Sequence, residues 1–298
     1  WIDDWVLEEK ESREIIKRAL ELGINFFDTA NIYSLGVSEE ILGRAIKDFA
    51  NRDEVVIATK VYNPMRQGPN SKGLSRKAIF QEVNASLKRL NTDYIDLLVV
   101  HRWDYDTPIE ETMRALDDLV TSGKVHYIGA SSMFAWQFQK AQYIAQKHGY
   151  TQFISMQNHY NLVYREDERE LIPACMDMGV TLTPYSPLAA GRLARPWNGD
   201  SHRYKTDQRA RQKYDETEDD DRLIVKRVEA LAKKKNVSMA NISLAWLLHQ
   251  EAVSAPIVGV TKIRQLEDAV EALDINLTQE ELDDLEKYYK PHKVVGAR

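Results

Sequence analysis

The stretch Glu21-Leu-Gly-Ile-Asn-Phe-Phe-Asp28 contains a pattern that recurs along the whole chain. A helical pattern ends at Gly23, and glycine suits the residue after a helix because it tolerates the left-handed backbone conformation. The aromatic and β-branched run that follows is typical of a strand. The stretch therefore predicts a helix, a glycine cap and a strand in immediate succession.

Three more copies of this pattern and three further apolar runs bring the number of predicted strands to seven. The further runs are Val55 to Lys60, Tyr94 to His101 and Ala255 to Val260, each continuous enough to be covered on both faces of a parallel sheet. The other copies of the pattern are Thr121-Ser-Gly-Lys-Val-His-Tyr-Ile-Gly129, Lys147-His-Gly-Tyr-Thr-Gln-Phe-Ile-Ser-Met-Gln157 and Asp177-Met-Gly-Val-Thr-Leu-Thr-Pro-Tyr185.

Amphipathic helices separate these strands, and two of them have readable start signals. One is Ser38-Glu-Glu. The other is Thr107-Pro-Ile-Glu110, where we expect threonine to cap the helix, proline to take its first position and glutamate to close a capping box. The first helix is expected to begin near Glu9 or Ser12.

Regular alternation of strands and helices predicts an α/β fold, either a (β/α)8 TIM barrel or a doubly wound sheet. No strand is followed by Gly-x-Gly-x-x-Gly, and the phosphate loop Gly-x-x-x-x-Gly-Lys is absent, so we favour the barrel, as one domain over residues 1–298. The polar stretch from Ala189 to Thr217 follows a strand. It is expected to be an active-site loop on the C-terminal face of the barrel, with a disordered insertion as the alternative.

The composition argues against several classes of protein. A formal net charge of -6 over 298 residues, without a dense basic stripe, argues against nucleic acid as a partner. No apolar run reaches the roughly 20 residues of a membrane helix, and the first residues lack the features of a signal peptide. The single cysteine, Cys175, cannot form an internal disulfide and is expected to be a small buried thiol. We expect a soluble intracellular protein in a reducing compartment, which predicts a cytoplasmic location.

Three of the predicted strands end abruptly in a polar residue. They are the strands that end in Asp28, Lys60 and His101, and Tyr33 follows Asp28 in the next loop. Taken singly, Asp28 could be a cap or turn residue and Lys60 a solvated strand end. His101 could be a histidine with ordinary hydrogen bonds, and Tyr33 an ordinary aromatic residue of a loop. Together they predict a site, because the C-terminal ends of barrel strands converge. No two histidines have the i, i+2 or i, i+4 spacing of metal ligands, so no metal is expected.

Eight blocks of sequence extend the pattern beyond these residues, over nearly the whole chain. They are Phe26-Phe-Asp-Thr-Ala-Asn-Ile-Tyr-Ser34, Glu39-Glu-Ile-Leu-Gly-Arg-Ala45, Ala58-Thr-Lys60, Asp93-Tyr-Ile-Asp-Leu-Leu-Val-Val-His101, Ile128-Gly-Ala-Ser-Ser132, Met156-Gln-Asn-His-Tyr-Asn-Leu162, Pro184-Tyr-Ser-Pro-Leu-Ala-Ala-Gly-Arg-Leu193 and Ile257-Val-Gly-Val-Thr-Lys262. In this order the blocks resemble the aldo-keto reductase family. The stretch Asn161-Leu-Val-Tyr-Arg-Glu166, with Arg195-Pro-Trp197, resembles the aryl-alcohol dehydrogenase-like branch of that family.

This resemblance implies an NADPH-dependent reductase that converts an aldehyde, chiefly an aryl aldehyde, or a ketone to its alcohol. The family's catalytic tetrad falls on Asp28, Tyr33, Lys60 and His101. Tyr33 would donate the proton, and because a phenol with an ordinary pKa of about 10 is a weak acid at neutral pH, it needs a nearby cation. Lys60 would be that cation, Asp28 would fix its position, and His101 would orient the carbonyl.

The resemblance also implies which residues bind NADPH or NADP+. Ser131, Ser132 and Gln157 match positions that hold the carboxamide, and Tyr185 matches the aromatic residue on which the nicotinamide ring stacks. The positions that match the pyrophosphate, 2′-phosphate and adenine contacts are Ser186, Leu188, Gly191, Arg192, Gly259, Thr261, Lys262, Gln265 and Asp268.

Recognition of the 2′-phosphate is expected to depend on two cations. Gln265 stands where many relatives carry a cation, which predicts weaker recognition. Lys262 and Arg264 remain, and they still favour NADPH over NADH.

Two questions stay open at this point. A barrel that binds NADPH could instead be a regulatory or scaffold subunit, as some relatives are with membrane channels, although a complete tetrad favours turnover. The aromatic residues Tyr62, Trp103 and Trp197 follow strand ends and could form walls of the substrate pocket, or they could be ordinary loop packing.

A closed barrel needs eight strands, one more than the seven predicted here. By resemblance, the strand of Asp28 is the family's second. We therefore expect the first strand and the N-terminal hairpin to be missing from this chain, with a natural protein longer by about 20 to 40 residues. The alternative is an open barrel with unpaired edge strands.

Overall fold

The computed structural model describes residues 6–197 and 207–295. They form two compact units, residues 6–156 and residues 157–295. Among the described residues no helix has the length and apolar character needed to cross a membrane. The prediction of one domain over residues 1–298 stays a prediction.

The first unit is a parallel sheet in which strands alternate with helices. Neighbouring strands follow one another in chain order, and the first four pair in parallel. A doubly wound sheet reverses its order at a switch point, and these strands do not. The strands are β1 (Phe26–Asp28), β2 (Val56–Val61), β3 (Ile95–Val100), β4 (Val125–Ser131) and β5 (Phe153–Gln157). The helices are α1 (Glu9–Glu21), α2 (Val37–Phe49), α3 (Arg76–Leu90), α4 (Ile109–Thr121) and α5 (Ala135–His148).

The second unit is mainly helical in the part that the structure describes. It contains the two-residue strand β6 (Thr181–Leu182). Its helices are α6 (Leu171–Asp177), α7 (Gln208–Tyr214), α8 (Glu218–Lys235), α9 (Met239–Leu248), α10 (Ile263–Glu271) and α11 (Gln279–Glu286). The predicted loop from Ala189 to Thr217 thus includes a helix, α7, and its residues 198–206 lie outside the described residues.

The prediction of a strand from Ala255 to Val260 was wrong. Leu182 bridges Val253, and the Ile257 amide donates to the Pro184 carbonyl at 2.8 Å, but no strand forms there. Pro184 and Pro256 have no amide hydrogen, so a regular ladder cannot continue through them.

The two predicted helix starts were also wrong. Helix α4 begins at Ile109, and Thr107 donates its hydroxyl to Asp104 at 2.8 Å instead of capping the helix. Helix α2 begins at Val37, so Ser38 is already inside it and its hydroxyl bonds that of Thr29 at 2.8 Å. In both cases a different side chain, Asp104 or Thr29, bonds the hydroxyl that the predicted cap would use.

Other local predictions were confirmed. The glycines that end the four repeated patterns have positive φ angles, 85° at Gly23, 76° at Gly123, 67° at Gly149 and 65° at Gly179. Helix α1 begins at Glu9. Cys175 is a free, buried thiol, and burial raises its pKa to about 12.

The register of the sheet places a polar layer above an apolar one. Ala58, Leu97 and Val99 form a buried cluster against which Phe26 packs. Side chains two residues apart on a strand point to the same face. Asp28, Lys60 and His101 each lie two residues beyond a member of this apolar layer, so they follow it on the same face of the sheet.

Candidate active site

The C-terminal ends of β1, β2 and β3 bring three predicted site residues together. Asp28 is the last residue of β1, Lys60 is next to last in β2, and His101 directly follows β3. The backbone holds this edge tightly, since the His101 amide donates to the Val61 carbonyl at 3.0 Å and the Thr29 amide to the Ala58 carbonyl at 2.8 Å.

Lys60 is the centre of this group and is completely buried. Its ammonium Nζ donates to Asp28 Oδ1 at 2.5 Å, to the Thr29 carbonyl at 2.8 Å and to the Tyr33 hydroxyl at 3.4 Å. An ammonium has three hydrogens to donate, so the three acceptors define its orientation. Burial by itself lowers the pKa of Lys60, but the charges of Asp28 and Tyr33 and its hydrogen bonds outweigh burial, and the pKa is raised. Lys60 is therefore a fixed cation at neutral pH.

Tyr33 is the member of the group that faces solvent. It begins a short 3-10 turn, Tyr33–Gly36, and 41% of its surface is exposed. The ammonium of Lys60 lies 5.0 Å from the centre of its ring, and the ring of His101 meets it edge-on with centroids 6.0 Å apart. A molecule arriving from solvent can thus reach the phenol of Tyr33, while the ammonium of Lys60 remains shielded from water.

His101 is surrounded by positive charge and by Asn63. Its Nδ1 lies 3.2 Å from the Asn63 side-chain nitrogen. Burial, followed by the charges of Lys60 and Arg102, holds the pKa of His101 well below its ordinary value. The imidazole is therefore neutral at neutral pH.

The first unit also contains two of the predicted carboxamide ligands. Ser131 ends β4 and Ser132 follows it with a positive φ of 51°, and their hydroxyl oxygens lie 3.3 Å apart. Both side chains are buried. Gln157, the last residue of β5 and the first residue of the second unit, is buried as well. Hydroxyls and an amide can donate and accept at once, as a carboxamide requires.

In the second unit, Tyr185 belongs to a stack of three aromatic rings. The His159 ring lies between Tyr164, at 4.1 Å and 15°, and Tyr185, at 5.3 Å and 12°. His159 is fully buried and its Nε2 bonds the Tyr214 hydroxyl at 2.6 Å. The ammonium of Lys213 lies 4.7 Å from the centre of the Tyr185 ring. The plane of Tyr185 is thus set by a neighbour that is itself held in place.

The predicted pyrophosphate segment after Tyr185 has an unusual backbone. Ser186, at φ 55°, and Gly191, at φ 90°, take positive φ angles, and the Asn161 side chain donates to the Ser186 carbonyl at 2.9 Å. Leu188 is half-buried and its carbonyl accepts from the Gly191 amide at 2.8 Å. Arg192 is buried and donates to Asp215 at 2.8 Å.

The predicted 2′-phosphate residues gather at the start of α10. Thr261, Lys262, Arg264 and Gln265 are exposed there, and the first turn has no acidic residue. Such a helix start with free cations suits a phosphate group. Gln265 accepts from the Thr261 amide at 2.9 Å, so it holds the turn that precedes the helix.

Two further predicted residues flank this helix start. Gly259 is exposed, with open space where a side chain would begin. Asp268 is half-buried, and its carbonyl accepts from the Asn241 side chain at 2.7 Å.

Sequence reasoning missed Asn63, His159 and Lys213, which contact predicted site residues. Asn63 comes three residues after Lys60, in a loop without a motif, and Lys213 lies in the long polar stretch. His159 lies in the stretch Met156 to Leu162, which carries part of the family resemblance. Its position just after a predicted strand end was the signal that could have indicated it.

A protein-family comparison matches residues 2–290 to the model of the aldo/keto reductase family. The chain belongs to this family, which makes it an oxidoreductase of carbonyl compounds and their alcohols.

Individual relatives are similar over almost the full chain. Versiconal hemiacetal acetate reductase of Aspergillus parasiticus is 46% identical over 97% of the chain and 90% of the relative. A Schizosaccharomyces pombe protein whose name contains the words aryl-alcohol dehydrogenase is 46% identical over 99% of the chain and 97% of its own length. A Saccharomyces cerevisiae protein with the same words in its name is 43% identical over 97% of the chain.

Proposed function

We propose that the protein is an NADPH-dependent reductase that converts aldehydes, with aryl aldehydes as the preferred class, or ketones to alcohols, and that it folds as a (β/α)8 barrel. The observation that supports this most is the placement of Lys60, fully buried, between the Asp28 carboxylate and the exposed Tyr33 phenol. A protein that merely bound a nucleotide would have no use for a buried cation aimed at a phenol.

Each of the four residues has a separate task in this proposal. Tyr33 gives its hydroxyl proton to the carbonyl oxygen as the alcohol forms. Lys60 stabilises the phenolate that remains, and Asp28 keeps the ammonium charged and directed. His101, being neutral, orients the carbonyl by a hydrogen bond without competing as an acid. The bound cofactor supplies the hydride for the carbonyl carbon.

Each unit contains residues that fit a part of NADPH. Ser131, Ser132 and Gln157 offer the donors and acceptors that a carboxamide needs, and Tyr185 offers a ring of fixed orientation for stacking. The exposed cations Lys262 and Arg264 at the start of α10 would hold the 2′-phosphate.

The preference for aryl substrates rests on two lines of support. Two relatives carry aryl-alcohol dehydrogenase in their names. Trp103 and Tyr62 lie in the loops after β3 and β2, beside His101 and Lys60 in sequence, and the Trp103 ring meets that of Trp136 edge-on at 5.9 Å. Aromatic walls favour flat aromatic substrates through stacking.

Loss of NADPH absorbance with a panel of benzaldehydes, aliphatic aldehydes and ketones tests this function. We expect turnover that is fastest with benzaldehydes. Tight NADPH binding without turnover of any carbonyl would instead indicate a cofactor-binding regulatory subunit. Fastest turnover of aliphatic aldehydes would leave the reductase standing and remove the aryl preference.

Lys262→Ala should narrow the preference for NADPH over NADH by about 1 to 2 kcal/mol, because one charge-assisted contact with the 2′-phosphate is lost. The dissociation constants of both cofactors, measured by fluorescence titration, give the difference directly. Lys234→Ala, which removes an exposed lysine of α8, is the matched control. Equal affinity of the unaltered protein for NADPH and NADH would contradict the proposal.

A further inference from the structure

We propose that Asn63 is a positioning residue that holds His101 in the tautomer with its proton on Nε2, so that the imidazole donates to the carbonyl oxygen of the substrate. The inference rests on the proposed function, because the carbonyl is the acceptor that this proton would serve. It assigns a task to a residue outside the four discussed above.

The contact between the two side chains allows one direction of donation. The amide nitrogen of Asn63 lies 3.2 Å from His101 Nδ1. An amide NH2 group donates and has no lone pair available to accept, so with the Asn63 amide in this orientation Nδ1 is the acceptor. A neutral imidazole has one ring N–H, and this contact leaves Nε2 to carry it.

The tautomer matters because His101 is neutral. The groups that face it are the Lys60 ammonium, the Arg102 guanidinium and the Tyr33 ring, which is nearly perpendicular to the imidazole. Burial and these two cations oppose a further positive charge on the ring, and they lower its pKa. A doubly protonated ring would donate from both nitrogens, whereas a neutral ring donates from one, and its neighbour selects which.

The backbone around Asn63 is arranged to keep this contact. Tyr62, directly before it, has a φ of 152°, which a residue with a side chain seldom adopts. Its carbonyl accepts from the Gly73 amide at 2.7 Å, and the next amide, that of Leu74, donates to Asp104 Oδ2 at 2.7 Å. Asp104 follows β3, as His101 does, so the loop of Asn63 is tied to the strand end that carries His101. Strained backbone held by such bonds is common where a side chain must be aimed.

A consequence is a strict separation of tasks between His101 and Tyr33. An imidazole that donates from Nε2 and is already neutral cannot give that proton away without becoming an anion. Proton transfer is therefore left to Tyr33, while His101 only orients the carbonyl and stabilises charge on its oxygen.

The tautomer can be read directly from nitrogen-15 NMR of the imidazole rings in the cofactor-free protein. The chain has seven histidines, so the His101 signals are assigned by their loss in His101→Gln. We expect a protonated Nε2 and an unprotonated Nδ1 at neutral pH. A protonated Nδ1 would overturn the proposal, and this reading does not depend on turnover.

Asn63→Asp reverses the polarity of the contact, since a carboxylate only accepts. Nδ1 must then be protonated, and the lone pair of Nε2 faces the carbonyl oxygen. We expect kcat near pH 8 to fall at least about tenfold, with the dissociation constant of NADPH changed less than about twofold. The new carboxylate also favours imidazolium, so lowering the pH to about 6 should restore Nε2–H and part of the rate.

Two other variants complete the test. Asn63→Leu keeps a similar side-chain volume and removes the hydrogen bond to His101 without reversing its direction. Its kcat should therefore fall less than that of Asn63→Asp, and lowering the pH should not restore it. Asn70→Asp makes the same charge change at an exposed position of the same loop and should leave the rate unchanged. If the dependence of kcat on pH in Asn63→Asp parallels that of the unaltered enzyme, the proposal is overturned even if the rate falls. If Asn63→Asp does not fold, the NMR reading of the unaltered protein still decides. Absence of turnover in the unaltered protein would instead count against the proposed function.

Discussion

Replacing Tyr33 with phenylalanine should lower the rate of aldehyde reduction at least about 100-fold, because the variant keeps the ring but has no proton to give. The phenol oxygen is the third acceptor of the buried Lys60 ammonium, at 3.4 Å, and its side chain is the exposed member of the group. The other members of the group are poor proton donors, since the pKa of Lys60 is raised by Asp28 and His101 is neutral.

The measurement is kcat and KM for one benzaldehyde, together with the dissociation constant of NADPH. Cofactor affinity should change little, because Tyr33 is not among the predicted cofactor ligands. Tyr143→Phe, on the exposed face of α5, removes a tyrosine hydroxyl in the same unit and should leave kcat, KM and the dissociation constant of NADPH unchanged. A near-normal rate in Tyr33→Phe would remove this residue from the mechanism.

Lys60→Met should lower both the free energy of unfolding and the rate of turnover. It removes one partner of a buried ion pair and leaves the Asp28 carboxylate, which is 6% exposed, without its 2.5 Å contact. Removing one partner of a buried pair costs about 3 to 5 kcal/mol in the free energy of unfolding. The rate should fall by about 100-fold or more as well, because the phenolate of Tyr33 loses its cation.

Denaturant unfolding of three variants separates the two effects. Asp28→Asn combined with Lys60→Met removes both charges of this buried pair, so it should regain much of the stability that Lys60→Met loses while remaining inactive. Lys47→Met, on the exposed surface of α2, should affect neither property. If the double variant is no more stable than Lys60→Met, the buried charge is not the source of the loss.

Strand ends were the part of the site that could be predicted from residue patterns. Asp28, Lys60 and His101 each follow an apolar run, and the structure places all three at one edge of the sheet. This worked because parallel strands in chain order bring their C-terminal ends together whatever the details of the loops. The glycine caps were equally readable, since a positive φ is a local requirement that glycine meets most easily.

Errors arose where a side chain or a backbone segment had a partner that the predicted local pattern did not include. Thr107 has the spacing of a capping residue, yet Asp104 takes its hydroxyl. Ala255 to Val260 has the composition of a strand, yet the ladder fails where Pro256 faces the segment of Pro184. The failed strand cannot be read from a window of residues, because it depends on which segments become neighbours. The Thr107 error is local, since Asp104 lies only three residues before it.

By itself, the sequence determined the order of strands and helices, the family, and the kinds of side chain available for chemistry. These depend on hydrophobic periodicity, on glycine and proline, and on residue identity, all of which are local. Only the tertiary structure decided that the Lys60 ammonium has three acceptors, that Asn63 faces His101 Nδ1, and that His159 stacks on Tyr185. The reason is that orientation within a site comes from burial and from hydrogen bonds between loops, which no single stretch of chain specifies.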